Sequence, residues 1–416
     1  MYLNKNISNY FLILFCIIPI SYIAGSAVSV ANILLIDISF IILILYHQDF
    51  TFLKSKTITY LLFLYAYLIF NSFISLNILE GLYRNFGFLR FIILFVAINY
   101  FFLDPKFYKK IFKFWTVIFI VISVDVFFEQ FSGSNLLGYS YGDRIGIEGV
   151  KSDRIVSFFK NEPIVGGFIN SFFLLLFGFL LHQKKKNRIL FCGGFLAICF
   201  LAITFTGERS STIKAFFGLL LFIFCIRHLS IKFKFLISCS LIILIVFLVL
   251  NFRFLNIRFS SNIYSIFNNH TIYFDLYKSG LQVFDNNKIF GVGNKNYRIE
   301  TCTNKVKLKN DEKKYYYCNT HPHQVYIEFL SEHGLFGTFV IFFLLIRLVF
   351  SKIIKTYYES NYLKIGTLIY MIFVFTPIIP SGSFFSNNLL TIFMINLSIF
   401  YAVDQTTNVF KKNFIK

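Results

Sequence analysis

The sequence predicts an all-α integral membrane protein with about twelve transmembrane helices and one large loop outside the membrane. Of its 416 residues, 57% are hydrophobic and only 14% are charged, whereas soluble domains average about 25% charged residues. The apolar residues form runs of about 20, the length that crosses a hydrocarbon core of roughly 30 Å as a helix. Because aromatic residues reach 21%, a disordered or low-complexity chain is excluded.

Twelve apolar segments divide the chain. They span about 9–27, 28–46, 57–76, 86–103, 111–130, 163–181, 189–206, 211–227, 233–251, 334–350, 362–379 and 385–403. The first is expected to remain as an uncleaved helix, because only Lys5 charges the region before it and a second apolar run follows at once. The predicted domains are nine helices within 1–251, a large loop over 252–333 that leads into helix 10, helices 10–12 within 334–403, and a basic tail over 404–416.

The basic residues predict the orientation of these helices. One set of gaps, together with both termini, holds 20 Lys and Arg, and the alternate short gaps hold seven. Because positively charged loops remain on the cytoplasmic side, both termini are expected in the cytoplasm and residues 252–333 outside. This pattern explains the net charge of +20 without nucleic acid as a partner. No Walker, dinucleotide-binding or zinc-finger spacing interrupts the apolar runs, so no cofactor and no ATP-driven pump are expected.

Two cysteines stand apart from the other five. Cys302 and Cys318 fall in the outward loop, where the compartment is oxidising, whereas the others lie in apolar segments and cannot reach them. A disulfide between the two would close a loop of about 15 residues and contribute roughly 3 kcal/mol in the chain-entropy model. We favour this bridge over two free thiols.

Four separate parts of the chain place Arg or His on the outer side of the membrane. They are 154–163, 206–211, 291–298 and 320–324. Arg209 sits in a very short outward gap beside Ser and Thr, where a guanidinium can bind phosphate oxygens with two hydrogen bonds. The alternative is an interfacial anchor that reaches the lipid headgroups. Arg154 and Arg298 allow the same two interpretations.

The segment that follows His321 predicts the start of a helix that carries a reactive histidine. Pro322 suits the first turn of a helix, which places His323 in that turn. There the helix dipole opposes protonation and keeps the imidazole neutral, as a general base requires. At 100° per residue, the residues expected on the same face are Ile327, Leu330, Gly334 and Gly337.

Two alternatives to a catalytic His323 remain. A single histidine is usually a satisfied core or interface residue, and a pair flanking Pro322 could bind a metal. We expect no metal, because no carboxylate or cysteine lies at ligand spacing on the same face. Glu332 is expected to point away from His323 unless the helix breaks, and Gly334 and Gly337 are expected to permit close approach of a neighbouring helix.

At this point the sequence resembles a known family. His323-Gln324 followed by Glu332, Gly334 and Gly337 is similar to the signature of the O-antigen ligase and polymerase superfamily. Thr206-Gly207-Glu208-Arg209-Ser210 resembles its arginine motif, and the segment from Arg154 through Glu162 to Gly166 resembles a stretch found in polymerase-like members. Gly291-Val292-Gly293 resembles its small-residue motif early in the large loop. Many members carry Asn where this chain has Gln324.

The resemblance implies a metal-independent, inverting membrane glycosyltransferase of GT-C-like architecture in the bacterial inner membrane. His323 would be the catalytic base, and Arg209, Arg298 and Arg154 would bind the diphosphate of an undecaprenyl-diphosphate-linked oligosaccharide. The supporting residues would be His321, Gln324, Glu162, Glu332, Gly334 and Gly337. The other expected partners are an acceptor glycan or lipid A-core, membrane lipids and a chain-length regulator.

Three functional hypotheses follow from the sequence. The first is this enzyme, as a polymerase that joins lipid-linked repeats or as a ligase that moves the finished chain to lipid A-core. The Arg154–Glu162 resemblance slightly favours the polymerase. The second is a transporter or flippase of lipid-linked glycan, which usually shows internal repeats or broken helices near mid-membrane. The third is a structural membrane protein with an outward binding loop, which the coincidence of four motifs makes the least favoured.

Overall fold

The computed structural model describes residues 4–140, 154–160, 162–183, 188–259, 272–303 and 316–410. Within these ranges the regular secondary structure is helical, with short 3₁₀ turns and no strand. The α-helices are Lys5–Cys16, Ile18–Ala24, Ser26–His47, Lys56–Phe73, Ile78–Phe86, Leu89–Phe101, Pro105–Ser132, Val165–His182, Arg188–Phe205, Arg209–Cys225, Ile231–Asn251, 253–259, Ile272–Asn286, Tyr297–Thr303, Val325–Leu348, Ile353–Glu359, Tyr362–Val374 and Asn387–Ala402.

Six helical stretches of the described chain are long and apolar enough to cross a membrane. They are Ser26–His47, Ile78–Phe101, Pro105–Ser132, Val165–His182, Ile231–Asn251 and Val325–Glu359. A seventh crossing would be the pair Lys5–Cys16 and Ile18–Ala24, which is bent by 43°. Apolar side chains of Ile231–Asn251 are largely exposed, with Ile243 at 67% and Leu250 at 68%, as suits contact with lipid. The chain is thus a multi-pass membrane protein.

The count of twelve crossings is not confirmed by helix length. Each predicted segment coincides with helical structure, but several helices are shorter than the about 20 residues that a span requires. Tyr362–Val374 has 13 residues and Asn387–Ala402 has 16. Arg209–Cys225 has 17 and includes Lys214.

Local sequence fixes where individual helices begin and end. Asp104 accepts a hydrogen bond from the Lys106 backbone at 2.8 Å, and Pro105 takes the first helical position, where a missing N–H costs nothing. The same helix ends at Gly133, which adopts a left-handed φ of 85°. This helix, Pro105–Ser132, therefore extends the predicted 111–130 segment at both ends.

The chain folds into two compact units. The first comprises 1–36, 101–264 and 354–373. At its centre, the Trp115 ring contacts Phe172 edge-on at 5.3 Å, and its indole donates to the Phe15 carbonyl at 3.1 Å. Gly178 and Gly366 let two helices meet at backbone distance, because a Cβ on Gly178 would lie 2.2 Å from the Tyr362 carbonyl oxygen.

The second unit comprises 37–100, 265–353 and 374–416. In its core, aromatic side chains pack around Phe329. The Phe329 ring centroid lies 5.4 Å from that of Phe384 and 6.0 Å from that of Phe385. Residues 272–286 and 297–303 of the predicted outward loop are helical. Val283, Val292 and Tyr297 form a second, smaller apolar cluster there. This unit contains His323.

Candidate active site

The structure corrects the predicted helix start near His323. The helix begins at Val325, and Gln324 caps it by accepting a hydrogen bond from the Ile327 backbone at 2.8 Å. Pro322 and His323 lie before the helix, and His323 adopts a left-handed φ of 57°. Its carbonyl accepts a hydrogen bond from the Ser381 backbone at 2.9 Å. This contact, 58 residues away along the chain, directs the carbonyl out of the helical path.

Two inferences from the helix model of His323 are therefore wrong. His323 shares no helical face with Gly334 or Gly337, and the helix dipole does not act on it from within the first turn. The half-buried imidazole is kept neutral by another cause, because burial lowers the pKa of His323 below its ordinary 6.5. Burial, and not the helix dipole, therefore favours the neutral imidazole.

A second histidine packs against the first. The rings of His321 and His323 have centroids 4.0 Å apart, and Tyr273 meets His323 edge-on at 6.1 Å. Burial, the neighbouring His323 and the charge of Lys295 lower the pKa of His321 to about 3. His321 Nδ1 lies 2.9 Å from the Thr320 hydroxyl. Both imidazoles are therefore neutral at physiological pH.

The loop that contacts His323 is held by a carboxylate that the sequence analysis missed. Glu328 is fully buried in the first turn of the Val325–Leu348 helix. It accepts hydrogen bonds from the Ser383 hydroxyl at 2.5 Å and from the Phe384 backbone at 2.9 Å. Lys295 donates to the same Ser383 hydroxyl at 3.2 Å. Glu328 thereby fixes the 381–384 loop, which in turn holds the His323 carbonyl.

The helix that carries Glu332 is interrupted two residues later, at Gly334. Gly334 has φ 63° and ψ −169° inside Val325–Leu348, so the predicted continuous face does not exist. The freed backbone donors pair with a neighbouring segment, since Leu335 donates to the Lys288 carbonyl at 2.8 Å and Phe336 to that of Ile289 at 3.0 Å. Only glycine fits at 334, where a Cβ would lie 2.4 Å from the Ile289 carbonyl.

The Gly291-Val292-Gly293 motif packs against this break. Gly293 donates to the Glu332 carbonyl at 2.8 Å, and the buried Glu332 carboxylate lies 3.4 Å from the Tyr297 backbone N–H. A Cβ on Gly293 would lie 2.0 Å from the Ser75 Cβ. The glycines therefore serve close backbone packing, and Glu332 is a buried partner of the 291–297 segment.

Gly337 makes the close approach that its sequence position predicted. A Cβ there would lie 1.6 Å from the Tyr67 hydroxyl oxygen, which belongs to the Lys56–Phe73 helix. The same hydroxyl lies 3.1 Å from His333 Nδ1. His333 is fully buried and was not predicted; its surroundings indicate a structural role.

Asparagines connect the 291–297 segment to the ends of two neighbouring helices. The Asn294 backbone donates to Asn71 at 2.8 Å, and its side chain donates to Asn85 at 2.5 Å. Asn296 accepts from the Asn77 backbone at 2.7 Å. Except for the exposed Asn77, these asparagines are buried, and they rigidify the segment that supplies Lys295.

The predicted arginine motif of the first unit is organised around Glu208. Its carboxylate accepts hydrogen bonds from the backbones of Gly166 at 2.7 Å and Gly167 at 2.9 Å, and from the Ser211 hydroxyl at 2.9 Å. It thus caps the Val165–His182 helix. Burial raises the pKa of Glu208, and the charge of Arg154 opposes that rise.

Arg209 is the first residue of the Arg209–Cys225 helix and is half-buried. The preceding Gly207 carbonyl accepts from Arg258, whose Nε and Nη2 both lie at 3.4 Å. Arg258 was not predicted. A guanidinium at a helix N-terminus lies where the dipole favours anions.

The segment that begins at Arg154 is pinned by two acidic side chains. Glu129 accepts from the Val156 backbone at 3.1 Å and from the Ser157 backbone at 2.5 Å, and Asp125 accepts from the Ser157 hydroxyl at 2.5 Å. Arg154 itself remains half-buried. Glu162, predicted as a supporting residue, is exposed.

The structure also describes two predicted features of the 252–333 region. Arg298 lies exposed on the Tyr297–Thr303 helix. Cys302 and Cys318 form a disulfide bond, which is the bridge that sequence analysis favoured. Tyr316 donates to Glu300 at 3.0 Å.

A comparison with known protein families finds a match for part of this chain. Residues 194–342 match the family model of O-antigen ligase. The match includes Arg209, Arg298 and His323, and it confirms the resemblance to the O-antigen ligase and polymerase superfamily. No curated protein matches the chain.

Proposed function

We propose that this protein is a glycosyltransferase of surface polysaccharide assembly, O-antigen or capsule. It would transfer glycan from an undecaprenyl-diphosphate donor to an acceptor hydroxyl at the periplasmic face. The observation that carries the proposal is the environment of His323, a half-buried imidazole with a lowered pKa, inside the O-antigen ligase match. A neutral imidazole at a left-handed loop position is suited to accept a proton.

In the proposed reaction, His323 removes the proton of the acceptor hydroxyl as its oxygen attacks the anomeric carbon. The new carbon–oxygen bond forms while the bond from that carbon to the diphosphate breaks, so the diphosphate leaves on its lipid and the configuration inverts. A lipid diphosphate is already a good leaving group, so this scheme uses neither a metal nor a cofactor. His321 and Gln324 support the His323 loop, Gln324 as the helix cap.

Arg209, Arg298 and Arg154 are proposed to bind the donor diphosphate as negative charge develops on it. Guanidinium groups bind phosphate oxygens with paired hydrogen bonds, and preorganised donors stabilise developing charge strongly. Support comes from Arg209 at a helix N-terminus and from the pinned segment before the Val165–His182 helix. Glu332, Gly334 and Gly337 support the packing around the 291–297 segment, and Glu162 flanks the Arg154 segment.

The proposed setting is the bacterial inner membrane, crossed about twelve times in a GT-C-like architecture with both termini in the cytoplasm. Between the two enzyme forms, we favour a polymerase, which joins one lipid-linked repeat to another. This form implies a chain-length regulator as a partner. A ligase would instead use lipid A-core as the acceptor.

The test uses purified protein in detergent with a lipid-linked repeat unit as substrate. His323→Ala should lower glycosidic bond formation by at least about 100-fold, the usual share of a general base, whereas His182→Ala, at the exposed end of another helix, should not. Transfer by His323→Ala at the wild-type rate would remove the central residue of the proposal. In a deletion strain, single repeats should accumulate; full-length lipid-linked chains would indicate a ligase.

A further inference from the structure

A second helix of the same structural unit packs directly against the loop that carries His323. Gly280 of the Ile272–Asn286 helix lies so close to this loop that a Cβ there would be 2.3 Å from Ile327 Cγ2 and 2.9 Å from Pro322 Cβ. Carbon atoms in contact normally lie about 3.5–4.0 Å apart, so only glycine allows this approach. Close packing therefore sets the position of the helix relative to His323.

Hydrogen bonds to Ser279 strengthen the attachment of this helix. The buried Ser279 hydroxyl accepts from the Tyr297 hydroxyl at 3.0 Å and from the Tyr317 backbone N–H at 3.0 Å. Tyr317 directly precedes Cys318, one partner of the disulfide bond. The Ile272–Asn286 helix is thus held on its buried side by packing and by hydrogen bonds, and its remaining surface has a defined position.

Two tyrosines lie about one turn apart on this helix, beside the His323 loop. The Tyr273 ring meets the His323 ring edge-on, with centroids 6.1 Å apart. Tyr277 is four residues later and therefore lies on the same side of the helix. Its hydroxyl donates to the Ile378 carbonyl at 3.3 Å. Both tyrosine side chains are half-buried, so part of each ring remains accessible next to the proposed base.

The segment that Tyr277 contacts carries a strained residue at the surface. Ile378 adopts a left-handed φ of 73° and is 83% exposed, although β-branched residues strongly disfavour that conformation. His323 is also left-handed, with a φ of 57°, and its carbonyl accepts from the Ser381 backbone, three residues after Ile378. Strained residues that their surroundings hold in place cluster at functional sites. The backbone strain therefore marks this part of the surface as a candidate for binding.

Tyr273, Tyr277, His323 and Ile378 together form a surface that we name the tyrosine face. These residue types include no carboxylate, ammonium or guanidinium group, and burial favours the neutral form of the His323 imidazole. Aromatic and aliphatic side chains suit the apolar C–H surface of a pyranose ring, whereas phenol and imidazole groups can hydrogen-bond to its hydroxyl groups. The tyrosine face therefore suits an uncharged sugar better than a diphosphate.

We propose that the tyrosine face binds the sugar ring that carries the attacking hydroxyl of the acceptor. The inference rests on the proposed function, because a base must lie within hydrogen-bond reach of the proton that it removes. In this arrangement the Tyr273 ring stacks against the sugar, and Tyr277 and Ile378 extend the contact along the helix. Tyr273 and Tyr277 thereby select the acceptor sugar. The alternative is that these side chains contact lipid headgroups, a common use of tyrosine at a membrane surface.

The first test measures binding of the free repeat-unit oligosaccharide, released from its lipid by mild acid, to the full-length protein in detergent. Tyr273→Leu keeps an apolar side chain but removes the flat ring, and it should raise the Kd about tenfold. Tyr273→Phe keeps the ring and should stay within about threefold of wild type, the effect of losing one neutral hydrogen bond. The matched control is Phe274→Leu, which removes an aromatic ring that is 36% exposed on the same helix but points about 100° away. Its Kd should equal that of wild type.

The second test measures steady-state glycan transfer with the lipid-linked repeat. Tyr273→Leu should raise the KM for this substrate by about tenfold, the same factor as the Kd, and should change kcat less than KM. Phe274→Leu should leave both constants at their wild-type values. A merely structural role of Tyr273 would lower kcat through His323 and leave the Kd of the free oligosaccharide unchanged.

Three results would overturn the proposal. They are a wild-type Kd for Tyr273→Leu, equal losses of binding in Tyr273→Leu and Phe274→Leu, and no binding of the free oligosaccharide to the wild-type protein. A KM effect of Tyr273→Leu that occurs in phospholipid nanodiscs and is absent in detergent would also overturn it, because that result assigns the tyrosine to the membrane interface.

Failure of the proposed function gives a different result from failure of the sugar site. If the wild-type protein forms product but Tyr273→Leu keeps the wild-type Kd and KM, the enzyme stands and the sugar site is wrong. If the wild-type protein forms no glycosidic bond with any acceptor, the proposed function is wrong. The Kd of the free oligosaccharide then still decides the sugar site, because that measurement requires no catalysis.

Discussion

Replacing Glu328 with glutamine tests how the position of His323 is maintained. The carboxylate holds Ser383 and Phe384 at 2.5 and 2.9 Å, and Ser381, two residues earlier, donates to the His323 carbonyl. Glutamine has nearly the same shape and removes only the charge and one acceptor. The substitution therefore loosens the loop without opening a cavity.

The magnitude follows from the two hydrogen bonds. A hydrogen bond to a charged group contributes about 1.5–3 kcal/mol. Glutamine retains one acceptor oxygen but turns an NH₂ group toward the other donor, so about one such bond is lost. Because 1.4 kcal/mol corresponds to a factor of ten, the ordered form of the loop should become about 10- to 150-fold less populated relative to the disordered form.

The assay is steady-state glycan transfer with labelled lipid-linked repeats. Glu328→Gln should lower kcat by about tenfold or more with little change in KM, because the loop positions the base and not the substrate. The matched control is Glu300→Gln, which also loses a carboxylate that accepts a hydrogen bond, from Tyr316 at 3.0 Å. Ser383→Ala should add little to Glu328→Gln, since the two share one interaction.

If Glu328→Gln retains kcat within twofold of wild type, and if the effects of Glu328→Gln and Ser383→Ala simply add, then the carboxylate does not position His323. Thermal unfolding in detergent separates a local effect from general instability, because a global defect would lower the unfolding temperature of Glu328→Gln well below that of wild type and of Glu300→Gln.

Three further predictions concern pH, packing and the disulfide. The rate of glycan transfer should stay constant above about pH 7 and fall only as the pH drops through the lowered pKa of His323. A rate that already falls as the pH drops from 8 would contradict a base that is neutral at physiological pH. Gly337→Ala should destabilise the protein by at least about 1–3 kcal/mol in thermal unfolding, with partial rescue by Tyr67→Phe. Cys302→Ser/Cys318→Ser should lower the free energy of unfolding by roughly 3 kcal/mol. A reducing agent should destabilise the wild-type protein but not this variant.

Helix location was predictable because the membrane imposes a strong signal on the sequence. A span needs about 20 apolar residues whatever it packs against, so every predicted segment coincides with helical structure. The length of each helix was less predictable than its location. Tyr362–Val374 ends at 13 residues, although apolar residues continue beyond it toward Pro377, which together with Pro380 disfavours a helix in the following segment.

Candidate site residues could be proposed from the sequence, but their geometry could not. Proline before His323 is a local helix signal, but the hydrogen bond from Ser381 to the His323 carbonyl is a contact across 58 residues that overrides it. The break at Gly334 depends on the Lys288 and Ile289 carbonyls that receive the freed donors. Neither partner can be read from the periodicity of one helix.

The acidic residues show what local patterns leave out. The chain has only 20 Asp and Glu. Glu332 accepts a hydrogen bond from the backbone of Tyr297, and three other glutamates also accept hydrogen bonds from the backbone of distant segments. Glu129 holds the 156–157 backbone, Glu208 the 166–167 backbone and Glu328 that of Phe384. Carboxylates committed to backbone donors have little capacity left to pair with arginines.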